Sequence, residues 1–155
     1  MKFSTKEDIG APINAVFEML CDFEGFERSA MRRGAEVQRV DNLTAPDVGM
    51  MWNAVFEMRG KRRELQIEMV TFDRPNDIII ESTSPGLISQ MSFELMALSR
   101  SRTRINVELE VKPLTLSARL LVQSMKLSKA SLMRKYKLRV GEYAKGMDER
   151  YVKMA

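Results

Sequence analysis

The chain contains no histidine and only one cysteine, Cys21. Without histidine there is no Ser-His-Asp or Cys-His nucleophile system, no HExxH zinc site, and no default general base near neutral pH. One thiol excludes an internal disulfide and cysteine-rich zinc sites. No metal site, no cofactor and no catalytic residue are therefore expected. The same sparing use of cysteine fits a reducing compartment, and a cytoplasmic location is the expectation. No uninterrupted apolar run approaches the roughly 20 residues of a membrane span. Residues 1–8, MKFSTKED, carry charges where a secretory leader needs an apolar stretch, so none is expected. There is no internal repeat, low-complexity segment or interdomain linker. Residues 1–155 read as one domain, long enough for a sizeable core.

What the chain does have is alternation. Phe3 to Ile9 reads as a strand that ends at Gly10-Ala11-Pro12, with proline well placed in the first turn of a helix. Val16, Phe17, Met19 and Leu20 mark a short amphipathic helix. Phe23, Phe26 and Met31 mark a second, stopped near Gly34. Strands follow. Glu36 to Asp41 is one, and Gly49 to Met58 is the next, with Met50, Trp52, Ala54, Phe56 and Met58 on a single face. Arg59-Gly60-Lys61 is a tight-turn candidate. Leu65, Ile67 and Met69 line one face of the following strand, and Ile78 to Ile80 begin another after Arg74-Pro75-Asn76-Asp77. Beyond Ser84-Pro85-Gly86, Met91, Phe93, Leu95 and Ala97 share a face, then Ile105, Val107, Leu109 and Val111. Half-polar strands of this kind fit an antiparallel sheet with one wet face.

From about Thr115 to Tyr151 no proline interrupts a helical pattern. Leu121, Met125, Leu132, Tyr136, Val140, Tyr143 and Met147 fall within an arc of about 100°, which is the expected core stripe. Lys112 to Arg139 holds eight basic residues and no acidic one. Arg119, Lys126, Arg134 and Lys137 project together, clear of the stripe. They read either as a solvated, dipole-matched face or as a contact with an anionic membrane or acidic partner. Nucleic acid is not expected, because no aromatic interleaves the basic arc. Leu120, Leu127 and Leu138 form a thinner second stripe, pointing to contact with the N-terminal helices or with a second subunit in a homodimer.

The order of strand, two short helices, run of strands and long C-terminal helix resembles the helix-grip fold of the START and Bet v 1-like superfamily, which includes polyketide cyclase-like and lipid-transport proteins. Ile9-Gly10-Ala11-Pro12-Ile13-Asn14-Ala15-Val16-Phe17 is similar to that family's entry into its first helix, and Asp22-Phe23-Glu24-Gly25-Phe26 to the start of its second. The resemblance covers the whole chain. It implies an α+β fold in which a curved antiparallel sheet of about six to seven strands wraps a long C-terminal helix and leaves a cavity. The Gly-rich loop of the plant allergens is absent, and Met58-Arg59-Gly60-Lys61-Arg62 is not the hormone-receptor gate, so a bacterial stand-alone member is the better comparison.

On such a fold the expected ligand-binding residues are Trp52, Phe56, Leu65, Ile67, Met69, Met91, Phe93, Leu95, Leu121 and Met125. Trp52 and Phe56 read as an aromatic pocket wall or as plain core. Several of the 13 methionines suit an adaptable apolar surface. Glu57, Glu64, Glu68, Glu94, Glu108 and Glu110 fall on polar strand faces, which suits cross-strand pairing with cations better than acid/base work. The glycines of residues 141–146 have phosphate-loop spacing, but Met147 stands where lysine is needed. Cys21 reads as a buried, inert thiol. The expected function is binding, and by extension transport or sequestration, of a small hydrophobic molecule or lipid. A cyclase- or dehydratase-like enzyme using the same pocket is the alternative, and a module that binds partners or anionic surfaces through the basic helix is a third. Inward polar groups would favour the enzyme, and only Thr71 and Ser89 present themselves.

Overall fold

A computed structural model describes residues 1–154. Strand β1 (Lys2–Ile9) leads into helices α1 (Ile13–Leu20) and α2 (Phe23–Arg32). Six strands follow: β2 (Glu36–Arg39), β3 (Met51–Met58), β4 (Lys61–Asp73), β5 (Asp77–Ser84), β6 (Leu87–Ser99) and β7 (Arg102–Pro113). Helices α3 (Leu116–Lys126) and α4 (Lys129–Met154) end the chain. The strands form one open antiparallel sheet in the order β1-β7-β6-β5-β4-β3-β2. The first strand thus pairs with the last, and β2 closes the opposite edge. This is the α+β helix-grip arrangement.

Turn chemistry fixes the register. Arg59 and Gly60 both have positive φ, 54° and 74°, and Met58 pairs directly with Lys61. Such a two-residue turn matches the twist of its flanking strands. Gly86 has φ 80°, and a Cβ there would stand 2.5 Å from Thr115 Oγ1. Only glycine lets the β5–β6 turn meet the start of α3, where Thr115 caps the helix by accepting from the Ala118 amide at 3.2 Å. Register shifts between Met69 and Thr71 and between Ala97 and Ser99 bend the two longest strands.

The core lies on the concave side of the sheet. Ile9, Val16, Phe17 and Leu20 are buried against Met50, Met69, Ile78, Leu95 and Ile105. Thr103, the one fully buried polar side chain among the described residues, donates from Oγ1 to the Ala11 carbonyl at 2.8 Å and ties the approach to α1 onto β7. Helix α4 packs mainly along β1, with Tyr136, Val140, Tyr143, Ala144 and Met147 turned inward. The Tyr136 hydroxyl donates to the Val107 carbonyl at 2.6 Å.

The pattern predicts an unbroken helix from Thr115, whereas the chain steps at Leu127 and Ser128. There the Ser128 amide bonds the Met125 carbonyl, only three residues back. This tightened turn ends α3, and Ser128 opens α4 by accepting from the Leu132 amide. The apolar stripe keeps its phase on both sides of the step, so periodicity does not reveal it.

Candidate functional site

Between the sheet and α2 lies a half-open pocket with a volume of about 390 Å³. Its sheet wall follows from pleat alternation: Trp52, Ala54 and Phe56 of β3 face it, and cross-strand pairing sets Ile67 opposite Trp52 and Leu65 opposite Ala54. Farther along stand Ile78, Ile80 and Ser82 of β5, Ser89, Met91 and Phe93 of β6, and Leu109 of β7. The facing wall is Leu20 at the end of α1, then Phe23, Phe26, Glu27 and Ala30 of α2, closed by Ala35 and by Val37 of β2. The α2 residues recur at i, i+3, i+4 and i+7, one face of a helix. Asp22 starts that helix by accepting from the Gly25 amide at 3.1 Å.

Of the ten residues expected from the sequence, the structure brings Trp52, Phe56, Leu65, Ile67, Met91 and Phe93 together on the pocket wall. Met69 and Leu95 lie in the packed core instead. Leu121 and Met125 are half-buried on α3, outside both the wall and that core. No side chain of α3 or α4 is among the described residues that line the pocket. The helical wall is α2, and α4 supports it from behind through Tyr143, whose ring lies 5.5 Å from that of Phe26. Trp52 is held between walls: its ring is 5.7 Å from Phe23, and its indole N–H donates to Glu27 Oε1 at 2.9 Å.

Three polar side chains stand in this apolar wall: Glu27, Ser82 and Ser89. Ser82 and Ser89 are directly opposed across β5 and β6, and neither hydroxyl has a hydrogen-bond partner among the described side chains. Ser89 is the one that sequence alternation reaches; Thr71 lies outside the lining. Sequence reasoning missed Ser82, because the run Ile78-Ile79-Ile80 gives no alternation from which to read the face of β5. It also missed Glu27, although a carboxylate inside an i, i+3, i+4, i+7 apolar stripe is a readable signal. A second, polar cleft lined by Arg33, Glu36, Glu57 and Arg62 adjoins the pocket at Ala30, Ala35 and Phe56. Phe56 therefore stands at the boundary between an apolar and a polar space. Arg63, on the inward face of β4 opposite Phe56, keeps its Nε buried without a partner.

Elsewhere the titratable groups are structural. Of the six strand-face glutamates, Glu108 pairs with Lys2 at 3.0 Å and Glu110 with Lys112 at 3.6 Å. Burial pushes the half-buried Cys21 thiol up to about 11, so it stays protonated at neutral pH. No cluster of three or more metal-ligating side chains exists among the described residues, and no described helix is long and apolar enough to cross a membrane.

No protein-family model and no curated protein sequence matches the chain. Solved structures do. The protein TTHA0849 from Thermus thermophilus superposes with a TM-score of 0.67 at 16% identity, covering 100% of this chain and 99% of that one. The Zhui aromatase/cyclase from Streptomyces sp. R1128 gives 0.65 at 13% identity, over 98% and 95%. A START superfamily protein from Mycobacterium smegmatis gives 0.55 at 12% identity, over 86% and 95%. At such identities the likeness is one of architecture, and it establishes that this chain has the helix-grip fold shared by START and Bet v 1-like proteins.

Proposed function

We propose that the chain binds a small, largely apolar molecule or lipid in the pocket beneath α2. The observation that carries this reading is the pocket itself: about 390 Å³ of space walled by Trp52, Phe56, Leu65, Ile67, Met91 and the α2 phenylalanines, within the size range of small-molecule sites. The opposed hydroxyls of Ser82 and Ser89 and the Glu27 carboxylate supply a few fixed polar groups, which orient a ligand through its own hydroxyl or carbonyl. Met91 adds a flexible surface.

Trp52 is the only tryptophan of the chain and stands in the wall, so its emission reports occupancy. Titration with an apolar naphthalene dye should quench or shift Trp52 emission and saturate at one site. Ser82→Ala with Ser89→Ala should leave that dye bound but weaken ligands that carry a hydroxyl. Unchanged Trp52 emission at saturating dye and no dye signal would end the binding reading. Native mass spectrometry of the purified protein then identifies any retained molecule.

A cyclase-like enzyme is a second reading, favoured by Glu27, the one ionisable side chain in the wall, and by the likeness in fold to the Zhui aromatase/cyclase. Such chemistry draws on orientation and water exclusion more than on a nucleophile. Glu27→Gln separates the two readings: a carrier keeps its ligand unchanged in structure, whereas an enzyme loses turnover while binding persists.

A further inference from the structure

The end of the molecule formed by the α3–α4 step and the β3–β4 turn combines two features that a solvated face does not need together. Leu120 on α3, Leu127 at the step and Leu138 on α4 are 59%, 90% and 63% exposed. Around them Arg119, Lys126, Lys129, Arg134 and Lys135 are all exposed, and none forms an ion pair among the described residues. The tertiary structure adds what the helix sequence does not contain. Arg59 Nη1 donates to Ser124 Oγ at 3.3 Å, an exposed bond that links the hairpin tip to α3. With it come Lys61 and Arg62, also exposed, with Glu57 opposite Arg62 the nearest carboxylate in the ladder.

We propose that this end, the hairpin tip together with the α3–α4 step, docks on an anionic membrane surface, with Leu120, Leu127 and Leu138 inserted among the acyl chains and the surrounding cations at the headgroups. Interleaved leucines and cations are what an interfacial helix presents to acidic lipid. A nucleic acid would use the cations and leave the leucines idle, and the face carries no aromatic for base stacking. A second copy of this chain meets an opposite difficulty. A two-fold contact through the leucines would bring each cluster of cations against its own copy, and like charges at close range repel. A bilayer satisfies both features at once. The hairpin that carries Arg59 also carries Phe56 and Leu65 into the pocket, so the docking end and the pocket share one structural element. Docking itself does not depend on what the pocket holds.

The test is sedimentation of the full chain with vesicles of phosphatidylcholine alone and of phosphatidylcholine containing about 30% phosphatidylglycerol. Three proteins are compared: the unmodified chain, a charge variant (Arg59→Gln, Lys61→Gln, Arg119→Gln, Lys126→Gln) and a leucine variant (Leu120→Ser, Leu127→Ser, Leu138→Ser). The unmodified chain should bind the acidic vesicles on the order of a hundredfold more tightly than the neutral ones, and added salt should weaken it. The charge variant should lose that preference. The leucine variant should bind the acidic vesicles at least about tenfold more weakly although its charge is unchanged. If the leucine variant binds like the unmodified chain, the contact is ionic adsorption only and the proposal fails. It also fails if lipid charge makes no difference, or if light scattering shows a dimer that the leucine variant converts to monomer. Leu127→Ser alone, at the most exposed of the three, repeats the test should the triple variant unfold. Dye binding to the pocket of the same proteins without vesicles should be unaltered, which keeps a failure of docking distinct from a failure of the pocket.

Discussion

Replacing Phe56 with alanine removes a ring that stands on the boundary between the apolar pocket and the polar cleft beside it. The ring is half-buried, whereas Phe17 is fully enclosed in the core. The two positions therefore differ in what truncation costs. Phe17→Ala opens a new void among packed neighbours and should destabilise the fold by about 3–5 kcal/mol. Phe56→Ala mainly forfeits the burial of about half a ring and enlarges a space that already exists, which amounts to roughly 1–2 kcal/mol. The assay is paired. Denaturant unfolding, followed by circular dichroism, gives the two stabilities, and Trp52 emission with an apolar dye gives the affinity. Phe56→Ala should keep a folded baseline while changing dye affinity severalfold, since the wall it removes touches the ligand. A Phe56→Ala loss as large as that of Phe17→Ala, with no dye bound by either protein, would mean a filled core. The chain would then have no open pocket beneath α2.

Glu27→Ala should cost about 1–3 kcal/mol by denaturant unfolding, because the Trp52 indole N–H at 2.9 Å loses a charged acceptor, and Trp52 emission should shift at the same time. Acid sensitivity should arise at two partly buried carboxylates. Hydrogen bonds from Arg39, and then from the Met51 and Leu43 amides, hold the Asp41 carboxyl well below the usual carboxylate range, and Arg104 does the same for Asp8. Both folded values lie below the unfolded one of about 3.9, so this stabilisation is intact above that pH and is lost as pH falls through the folded values. An Asp41→Asn variant should flatten the dependence of stability on pH in that acid window, as thermal melts at stepped pH will show. Finally, the Cys21 thiol, raised to about 11 by burial, should react with iodoacetamide at neutral pH far more slowly than in denatured protein, with mass spectrometry reading the adduct.

The alternation of β3, β4, β6 and β7 is legible because each strand keeps one wet face, and pleat period alone then assigns inward positions. The pairings Trp52 with Ile67 and Met91 with Ile80 set neighbouring inward chains side by side. β5 lacks that contrast. Its three isoleucines are apolar on both faces, and Ser82 becomes recognisable as inward only through its pairing with Ser89. Met69 and Leu95 show a different limit. They share the inward face with the wall residues, but depth along a strand, and not the face, decides whether a side chain meets the cavity or the helices packed at its end.

The helices carry the rest of the difference, and for a reason that lies in geometry. Periodicity tells which side of a helix is apolar; it does not tell which surface that side will meet. The apolar sides of α2 and α4 are both readable, yet the sequence does not rank them as partners for the sheet. In the structure α4 is drawn to β1 by Tyr136, Val140 and Met147, and its Tyr143 ring lies against Phe26. That leaves α2 as the wall, and it brings Glu27, a residue with no obvious role in a surface helix, into contact with Trp52. The basic face of α3 and the cations of the β3–β4 turn lie more than fifty residues apart in the chain, and each alone reads as a solvated charge cluster. The hydrogen bond from Arg59 to Ser124 links the two clusters, a connection that the spacing along the chain does not reveal.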